Sequence, residues 1–133
     1  MRPAALAGLA LVLGGCGSPP ADLFEVQRSG ADRNANLTMV VSDGGQVTCN
    51  GTKHELPPQQ LLTARDLTRR LSKQAQLNLD LPAGPGSVLR YKVRMEAGTL
   101  VFADTSRDLP RPLQQLAAFT KDVSEDVCGL QRR

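Results

Sequence analysis

The sequence has few of the side chains on which several kinds of binding site depend. Its 133 residues include no tryptophan, one tyrosine, three phenylalanines and one histidine, and its net charge at pH 7 is only +3. Single-stranded nucleic acids are held largely by bases stacked on aromatic side chains, and nucleic acids in general by a strongly basic surface. We therefore expect no nucleic-acid partner.

Motifs of catalysis and metal binding are also missing. The sequence contains neither the Gly-x-Ser-x-Gly elbow of hydrolases nor the GxxxxGK[ST] loop that holds phosphates. The one histidine, His54, lies between Lys53 and Glu55 in a loop-like stretch, which is typical of a solvated side chain. We expect a protein that is not an enzyme and that needs no metal and no cofactor. Catalysis by a serine, a histidine and an aspartate stays an open alternative, because residue counts do not exclude it.

The first residues of the chain have the pattern of an export signal. An apolar run at residues 4–13 follows Arg2, and at ten residues it is too short to cross a membrane as a helix. The run ends in Leu13-Gly14-Gly15-Cys16, which resembles the bacterial lipobox, where the cysteine is acylated and becomes the first residue after cleavage. We expect a lipoprotein signal peptide at residues 1–15 and a lipid anchor, containing palmitate, on Cys16. The alternatives are an ordinary signal peptide or an N-terminal core helix.

The anchor predicts where the protein is found. Residues 16–22 then form a lipidated cysteine and a short tether, and residues 23–133 form one domain. Six residues of tether reach at most about 20 Å, so the domain would stand close to the bilayer. We expect a monomer on the extracytoplasmic side of the cell membrane.

The cysteine count supports this interpretation. An odd number of cysteines is unusual in an exported protein unless one thiol has another use. With Cys16 assigned to the lipid, Cys49 and Cys128 are left as a pair, and an oxidising exterior permits a disulfide between them. Two buried free thiols or a redox pair are the alternatives, although the sequence has no Cys-x-x-Cys motif.

The first half of the domain is predicted to be mostly strand. Residues 23–28 alternate between apolar and polar side chains, with Phe24 and Val26 on one face. The other face is expected to hold most of the polar group Glu25, Gln27 and Arg28. Residues 37–41 and 46–50 flank Ser42-Asp43-Gly44-Gly45, which predicts a hairpin. We expect residues 51–58 to be a loop.

The second half of the domain is predicted to contain two helices separated by a hairpin. Apolar residues at intervals of three or four predict an amphipathic helix over residues 59–76, and another over residues 112–127. Between them, residues 89–95 and 99–104 predict a second hairpin. The order β-ββ-α-ββ-α indicates an α+β fold in which an antiparallel sheet of about five strands has both helices packed on one face.

Two groups of basic residues could meet a partner. Arg90, Lys92 and Arg94 alternate with apolar residues and so share one face of a strand, while Arg65, Arg69, Arg70 and Lys73 lie on the first helix. Such groups are attracted to anionic lipid headgroups when they are close to a membrane. A solvated face without a partner is the simpler interpretation of both.

Over most of its length the chain resembles small secreted actinobacterial lipoproteins of unknown function. The resemblance includes the lipobox and its tether, and five short motifs. These are Phe-x-Val-x-Arg-x-Gly from Phe24, Thr-Cys-Asn from Thr48, Leu-x-x-Ala-Arg-Asp-Leu from Leu61, Tyr-x-Val-Arg from Tyr91, and Val-Cys-Gly from Val127. It implies a location and no activity.

A looser likeness is to emfourin-type inhibitors of thermolysin-like metalloproteases. The likeness lies in a similar ββαββα plan, in Val26-x-Arg28-Ser29-Gly30 and in Tyr91-Lys92-Val93, whereas Ala31-Asp32 departs from the Gly-Phe-Ala-Gly of those inhibitors. It implies a non-catalytic binding domain that inserts a loop into a secreted protease. The residues of that loop would be Arg28, Ser29, Gly30, Asp32 and Arg33. The alternative is an envelope structural or assembly protein that docks through Arg90, Lys92 and Arg94.

Overall fold

The computed structural model describes residues 22–132, so the predicted signal peptide and the predicted lipidation site at Cys16 lie outside the described residues. Six strands and two α-helices follow one another along the chain, and a π-helical segment continues the second helix. They are β1 (Asp22–Ser29), β2 (Leu37–Ser42), β3 (Gln46–Cys49), β4 (Thr52–Glu55), α1 (Pro58–Gln76), β5 (Arg90–Met95), β6 (Gly98–Ala103), α2 (Arg111–Asp122) and the π-helical segment (Val123–Val127).

The strands form one antiparallel sheet in the order β4-β3-β2-β1-β5-β6. The two central strands are therefore β2 and β1, and β1 joins the first group of strands to the hairpin of β5 and β6. The predicted α+β class is confirmed. The sheet has one strand more than the five expected.

The additional strand, β4, lies in the stretch that we expected to be a loop. Asn50 and Gly51 both have positive φ, at 48° and 85°, and Cys49 is paired with Thr52 across them. Two residues with positive φ are what a tight type I′ hairpin requires, and Asn-Gly is the preferred pair for it. The chain therefore reverses immediately after β3 and adds a short polar edge strand.

One face of the sheet is buried by the two helices. Along β1 the buried residues are Phe24, Val26 and Arg28, and along β5 they are Tyr91 and Val93, as expected from a side-chain period of two. The core is completed by apolar residues of both helices. These are Ala64, Leu67, Leu71 and Ala75 of α1, and Leu113, Leu116 and Phe119 of α2.

Two close contacts fix the helices on the sheet. The ring of Phe119 on α2 meets the ring of Phe24 on β1 edge to face, with centroids 5.9 Å apart. At the turn between β5 and β6, Gly98 lies so close to α1 that a Cβ there would be 1.9 Å from the carbonyl oxygen of Ala75. Only glycine fits this approach, so the turn is packed tightly against the end of α1.

The two remaining cysteines lie at disulfide distance. The Sγ atoms of Cys49, at the end of β3, and Cys128, after the π-helical segment, are 2.09 Å apart. The bond joins the hairpin region to the C-terminal part of the chain across 79 positions. In the described part of the chain, none of the helices has the length and apolar character needed to span a membrane.

Candidate functional site at one end of the sheet

The predicted partner loop and the predicted basic face meet at one end of the sheet. Ser29, the last residue of β1, is directly opposite Arg90, the first residue of β5. Because the two strands are antiparallel, the loop after β1 and the loop before β5 lie side by side. We call this region, comprising Ser29, residues 30–36, residues 83–88 and Arg90, the sheet end.

The two loops of the sheet end line an open cavity of about 550 Å³. Its volume lies within the usual range for ligand pockets, roughly 300 to 1,000 Å³. Val88 is 49% exposed at this position, although it is a large apolar residue. The cavity is lined by Ser29, Gly30, Ala31, Asp32, Ala83, Ser87, Val88 and Arg90.

Arg28 does not have the position that we expected for it. We predicted that it would contact a partner, but its side chain lies on the buried face of β1 and the residue is only 3% exposed. Its Nε donates a hydrogen bond of 2.9 Å to the carbonyl oxygen of Ala35, and its Nη2 donates one of 3.0 Å to that of Asn34. Arg28 therefore supports the loop from within, while Ser29, Asp32 and Arg33 are exposed.

Further hydrogen bonds order the loop after β1. The backbone N–H of Ala35 donates to the carbonyl oxygen of Asp32 at 3.0 Å, and the N–H of Gly30 donates to Oδ1 of Asn36 at 3.1 Å. Asn34 has a φ of 57°, and its side-chain amide donates to the carbonyl oxygen of Gln131. The loop is thus held at both ends and also by the C-terminal segment.

The loop before β5 is held by one carboxylate. Asp104 accepts hydrogen bonds from Oγ of Ser87 at 2.9 Å and from the backbone N–H groups of Val88 and Leu89, each at 3.1 Å. Gly84 lies earlier in the same loop, and its carbonyl oxygen accepts a hydrogen bond of 2.9 Å from Oγ1 of Thr105, which follows β6. The exposed side chain of Val88 is therefore carried by an ordered backbone.

Gly30 lets the two loops approach each other. A Cβ at this position would lie 2.6 Å from the carbonyl oxygen of Val88 and 3.0 Å from Cβ of Ala35. A contact of 2.6 Å with a backbone atom cannot be relieved by rotating a side chain. Gly30, which we predicted as a partner-contact residue, therefore has a clear packing role in the sheet end.

Burial changes the pKa values of the two residues beneath the loop. Arg28 and Tyr91 are directly opposite each other on β1 and β5. Desolvation lowers the pKa of Arg28, and it raises the pKa of Tyr91, an effect that the nearby guanidinium partly offsets. Tyr91 also stacks on Phe102, with ring centroids 4.7 Å apart. These groups form a rigid base for the loop.

A second, polar cavity lies on the other side of the same loop. It measures about 630 Å³ and shares Asp32 with the first cavity. Its walls carry charges of both signs, so it has no clear preference for an anion or a cation. Its other lining residues are Lys121, Glu125, Gln131 and Arg132.

The predicted basic face is on the outer side of the sheet. Arg90, Lys92 and Arg94 are all exposed and point away from the helices. The basic residues of α1 lie on a different surface, where Arg65 forms an ion pair of 2.7 Å with Asp43. Only Arg90 of the three sheet residues belongs to the sheet end.

The described residues contain no group of three or more histidine, cysteine, aspartate or glutamate side chains that could hold a metal ion. His54 is partly buried on β4, opposite Val47.

The loop before β5 contributes to the site without any local sequence pattern that predicts it. Pro82-Ala83-Gly84-Pro85-Gly86-Ser87 indicates only a break between elements, and Val88 precedes the strand without a signal of its own. The pairing of β1 with β5 would have been enough to find it, because that pairing brings the two loops together. Strand order in the sheet is not encoded in any local pattern.

Comparisons with protein-family models, with curated proteins and with solved structures find no significant match to this chain.

Proposed function

We propose that the protein is a lipid-anchored, extracytoplasmic and non-catalytic binding module whose partner is a protein, and that it binds this partner through the sheet end. The observation that carries the proposal is the position of Arg28. Its buried guanidinium holds the carbonyl oxygens of Asn34 and Ala35, so that the loop between them and β1 keeps one shape while Asp32 and Arg33 face solvent.

A loop ordered in advance binds more tightly than a mobile one with the same contacts. Immobilising a loop or a long side chain on binding costs free energy, roughly 0.5 to 1.5 kcal/mol for each side chain that is rich in rotamers. At the sheet end, hydrogen bonds within the chain hold the backbone already. The exposed Val88 offers an apolar contact in the same cavity as the carboxylate of Asp32.

The location rests on the N-terminal sequence. Leu13-Gly14-Gly15-Cys16 supports acylation of Cys16, and the pairing of Cys49 with Cys128 agrees with a protein made for an oxidising compartment. Two or three acyl chains anchor a protein stably, whereas a single chain does not.

The partner that we propose is a secreted metalloprotease of the thermolysin type, into whose cleft the loop after β1 would insert. The support is the likeness of Val26-x-Arg28-Ser29-Gly30 and Tyr91-Lys92-Val93 to emfourin-type inhibitors, together with the ordered loop that follows Gly30.

Titration of such a protease with the purified full chain tests this proposal. We expect the rate of proteolysis of a peptide substrate to fall in proportion to the amount of chain added. Proteolysis should stop when about one molecule of chain is present for each molecule of protease. Full protease activity at micromolar concentrations of the chain would overturn the inhibitor proposal.

A further inference from the structure

The outer face of the sheet carries a row of three positive side chains that form no ion pair with another described residue. Arg90, Lys92 and Arg94 occupy alternate positions of β5, so that neighbouring members are about 7 Å apart. Within residues 22–132, the ion pairs involve none of these three side chains. All three are exposed, and the two α-helices of residues 22–132 pack on the opposite face of the sheet.

The basic residues of α1 differ in this respect. Arg65 pairs with Asp43 at 2.7 Å, and Arg69 and Arg70 pair with Asp66 at 3.2 and 3.6 Å. Part of the positive charge on the helix is therefore already compensated within the molecule, whereas the charge on β5 is available to a partner.

The acidic residues of the outer face do not cancel the row. Glu25 is directly opposite Arg94, and its carboxylate accepts a hydrogen bond of 3.0 Å from Gln27. On the edge strand β4, Lys53 and Glu55 both point outward and offset each other. The exposed Asp80 adds a further carboxylate beside Val101, at the edge of β6. The face keeps an excess of positive charge, concentrated on β5, and it also carries the partly buried Val40 and Val101.

The outer face lacks the anchors that a protein partner would need. All aromatic residues of the chain are in the core, and the exposed large apolar residues of the described part are Leu62, Leu77 and Val88, none of which is on a strand. Protein interfaces draw most of their binding energy from aromatic or apolar residues placed in pockets. The phosphates of lipid headgroups require only charge. The buried aromatic residues are Phe24, Tyr91, Phe102 and Phe119.

We propose that this outer face, centred on Lys92 and Arg94, docks on a membrane surface rich in anionic lipid. The face also lies close in sequence to the proposed lipid anchor. Arg94 is opposite Glu25, which is only three residues from the start of β1, and Cys16 precedes that start by six residues. This last point rests on the proposed lipid anchor, while the charge and composition of the face do not.

The test compares two variants with the same loss of charge. One is Lys92→Gln with Arg94→Gln, and the other is the helix control Arg69→Gln with Lys73→Gln. Both are made in a full chain carrying Cys16→Ser, so that no acyl chain contributes. Binding is measured to vesicles of phosphatidylglycerol with phosphatidylcholine and to vesicles of phosphatidylcholine alone. The ratio of the two affinities isolates the contribution of charge.

We expect the sheet variant to lower this ratio about 30-fold, since each basic residue near an anionic surface contributes roughly 1 kcal/mol. The helix control should lower it less than threefold. Equal losses in both variants, or no preference of the parent chain for anionic vesicles, would overturn the proposal. A cross-link to an envelope protein that depends on Lys92 and Arg94, with vesicle binding unchanged, would also overturn it. Because both variants carry Cys16→Ser, the result does not depend on whether Cys16 is acylated in the native protein.

Discussion

Arg28 and Ala35 are joined by a hydrogen bond of 2.9 Å from the guanidinium Nε to the carbonyl oxygen, inside the loop that begins where β1 ends. A side chain that usually reaches into solvent is thereby buried, and it holds the backbone seven positions further along the chain. Through this bond, the conformation of the loop depends on the packing of the core beneath it.

Replacing Arg28 with methionine should lower the free energy of unfolding by about 3 kcal/mol. The substitution keeps much of the side-chain volume but leaves the carbonyl oxygens of Asn34 and Ala35 without their donors, at roughly 1 to 3 kcal/mol for each buried group. Urea unfolding of the full chain measures the change. Arg33→Met is the matched control, since Arg33 is exposed, and it should change stability by less than about 0.5 kcal/mol. Similar values for the two variants would show that Arg28 does not support the loop.

Removing the bond between Cys49 and Cys128 should lower the free energy of unfolding by about 4 kcal/mol. The expected size follows from the entropy that a cross-link between residues 79 positions apart removes from the unfolded chain. Urea unfolding of the double variant Cys49→Ala with Cys128→Ala checks this value. Treatment of the parent chain with a reductant should give a similar loss. A loss below 1 kcal/mol in both cases would mean that the bond contributes little to folding.

Tyr91 should titrate above its ordinary range in the folded protein. Burial raises its pKa, so the folded state binds the phenolic proton more tightly than the unfolded state does. The resulting contribution to stability is complete below about pH 10 and is lost as the pH rises from there through the folded pKa. Because Tyr91 is the one tyrosine and there is no tryptophan, absorbance at 295 nm reports its ionisation directly.

The folded chain should therefore show a higher midpoint in this titration than the chain in urea. Tyr91→Phe should unfold with less dependence on pH above pH 10 than the parent chain. Coincident midpoints in the folded and unfolded states would contradict the burial of the phenol beside Arg28.

The lipid anchor makes a separate prediction. Cys16→Ser should move the protein from the membrane fraction to the soluble fraction and abolish incorporation of labelled palmitate, because the thioether attachment needs the thiol. Ser18→Ala, two residues further on, is a control that should leave both unchanged. Unaltered fractionation of Cys16→Ser would contradict the lipoprotein assignment.

Much of the fold could be predicted from local patterns. The Asp43-Gly44-Gly45 turn, the alternation along residues 89–95 and the helical spacing over residues 59–76 each determine one element, and the structure contains all three. Strand β4 was missed, although Asn50-Gly51 is a strong hairpin signal, because the four residues after it are polar and lack an apolar alternation. The π-helical form of residues 123–127 has no signal that we can identify in the sequence.

The site was harder to predict than the fold, and Arg28 shows why. Strict alternation along β1 places Arg28 on the same face as Phe24 and Val26, but its charge suggested the solvated face. The acceptors that make its burial favourable are backbone carbonyl groups of a loop, which no residue pattern reveals. The cavity at the sheet end likewise depends on the pairing of β1 with β5, which is a long-range relationship.

The main functional proposal is that the sheet end is the binding surface. It is tested most directly by the inhibition constant of the double variant Asp32→Ala with Arg33→Ala against a thermolysin-like metalloprotease. The matched control is Lys53→Ala with Glu55→Ala, which removes an exposed pair of opposite charges from β4. We expect the sheet-end variant to inhibit at least tenfold more weakly than the parent chain, and the control to inhibit as well as the parent chain. Unchanged inhibition by the sheet-end variant, or an equal loss in the control, would contradict the proposal.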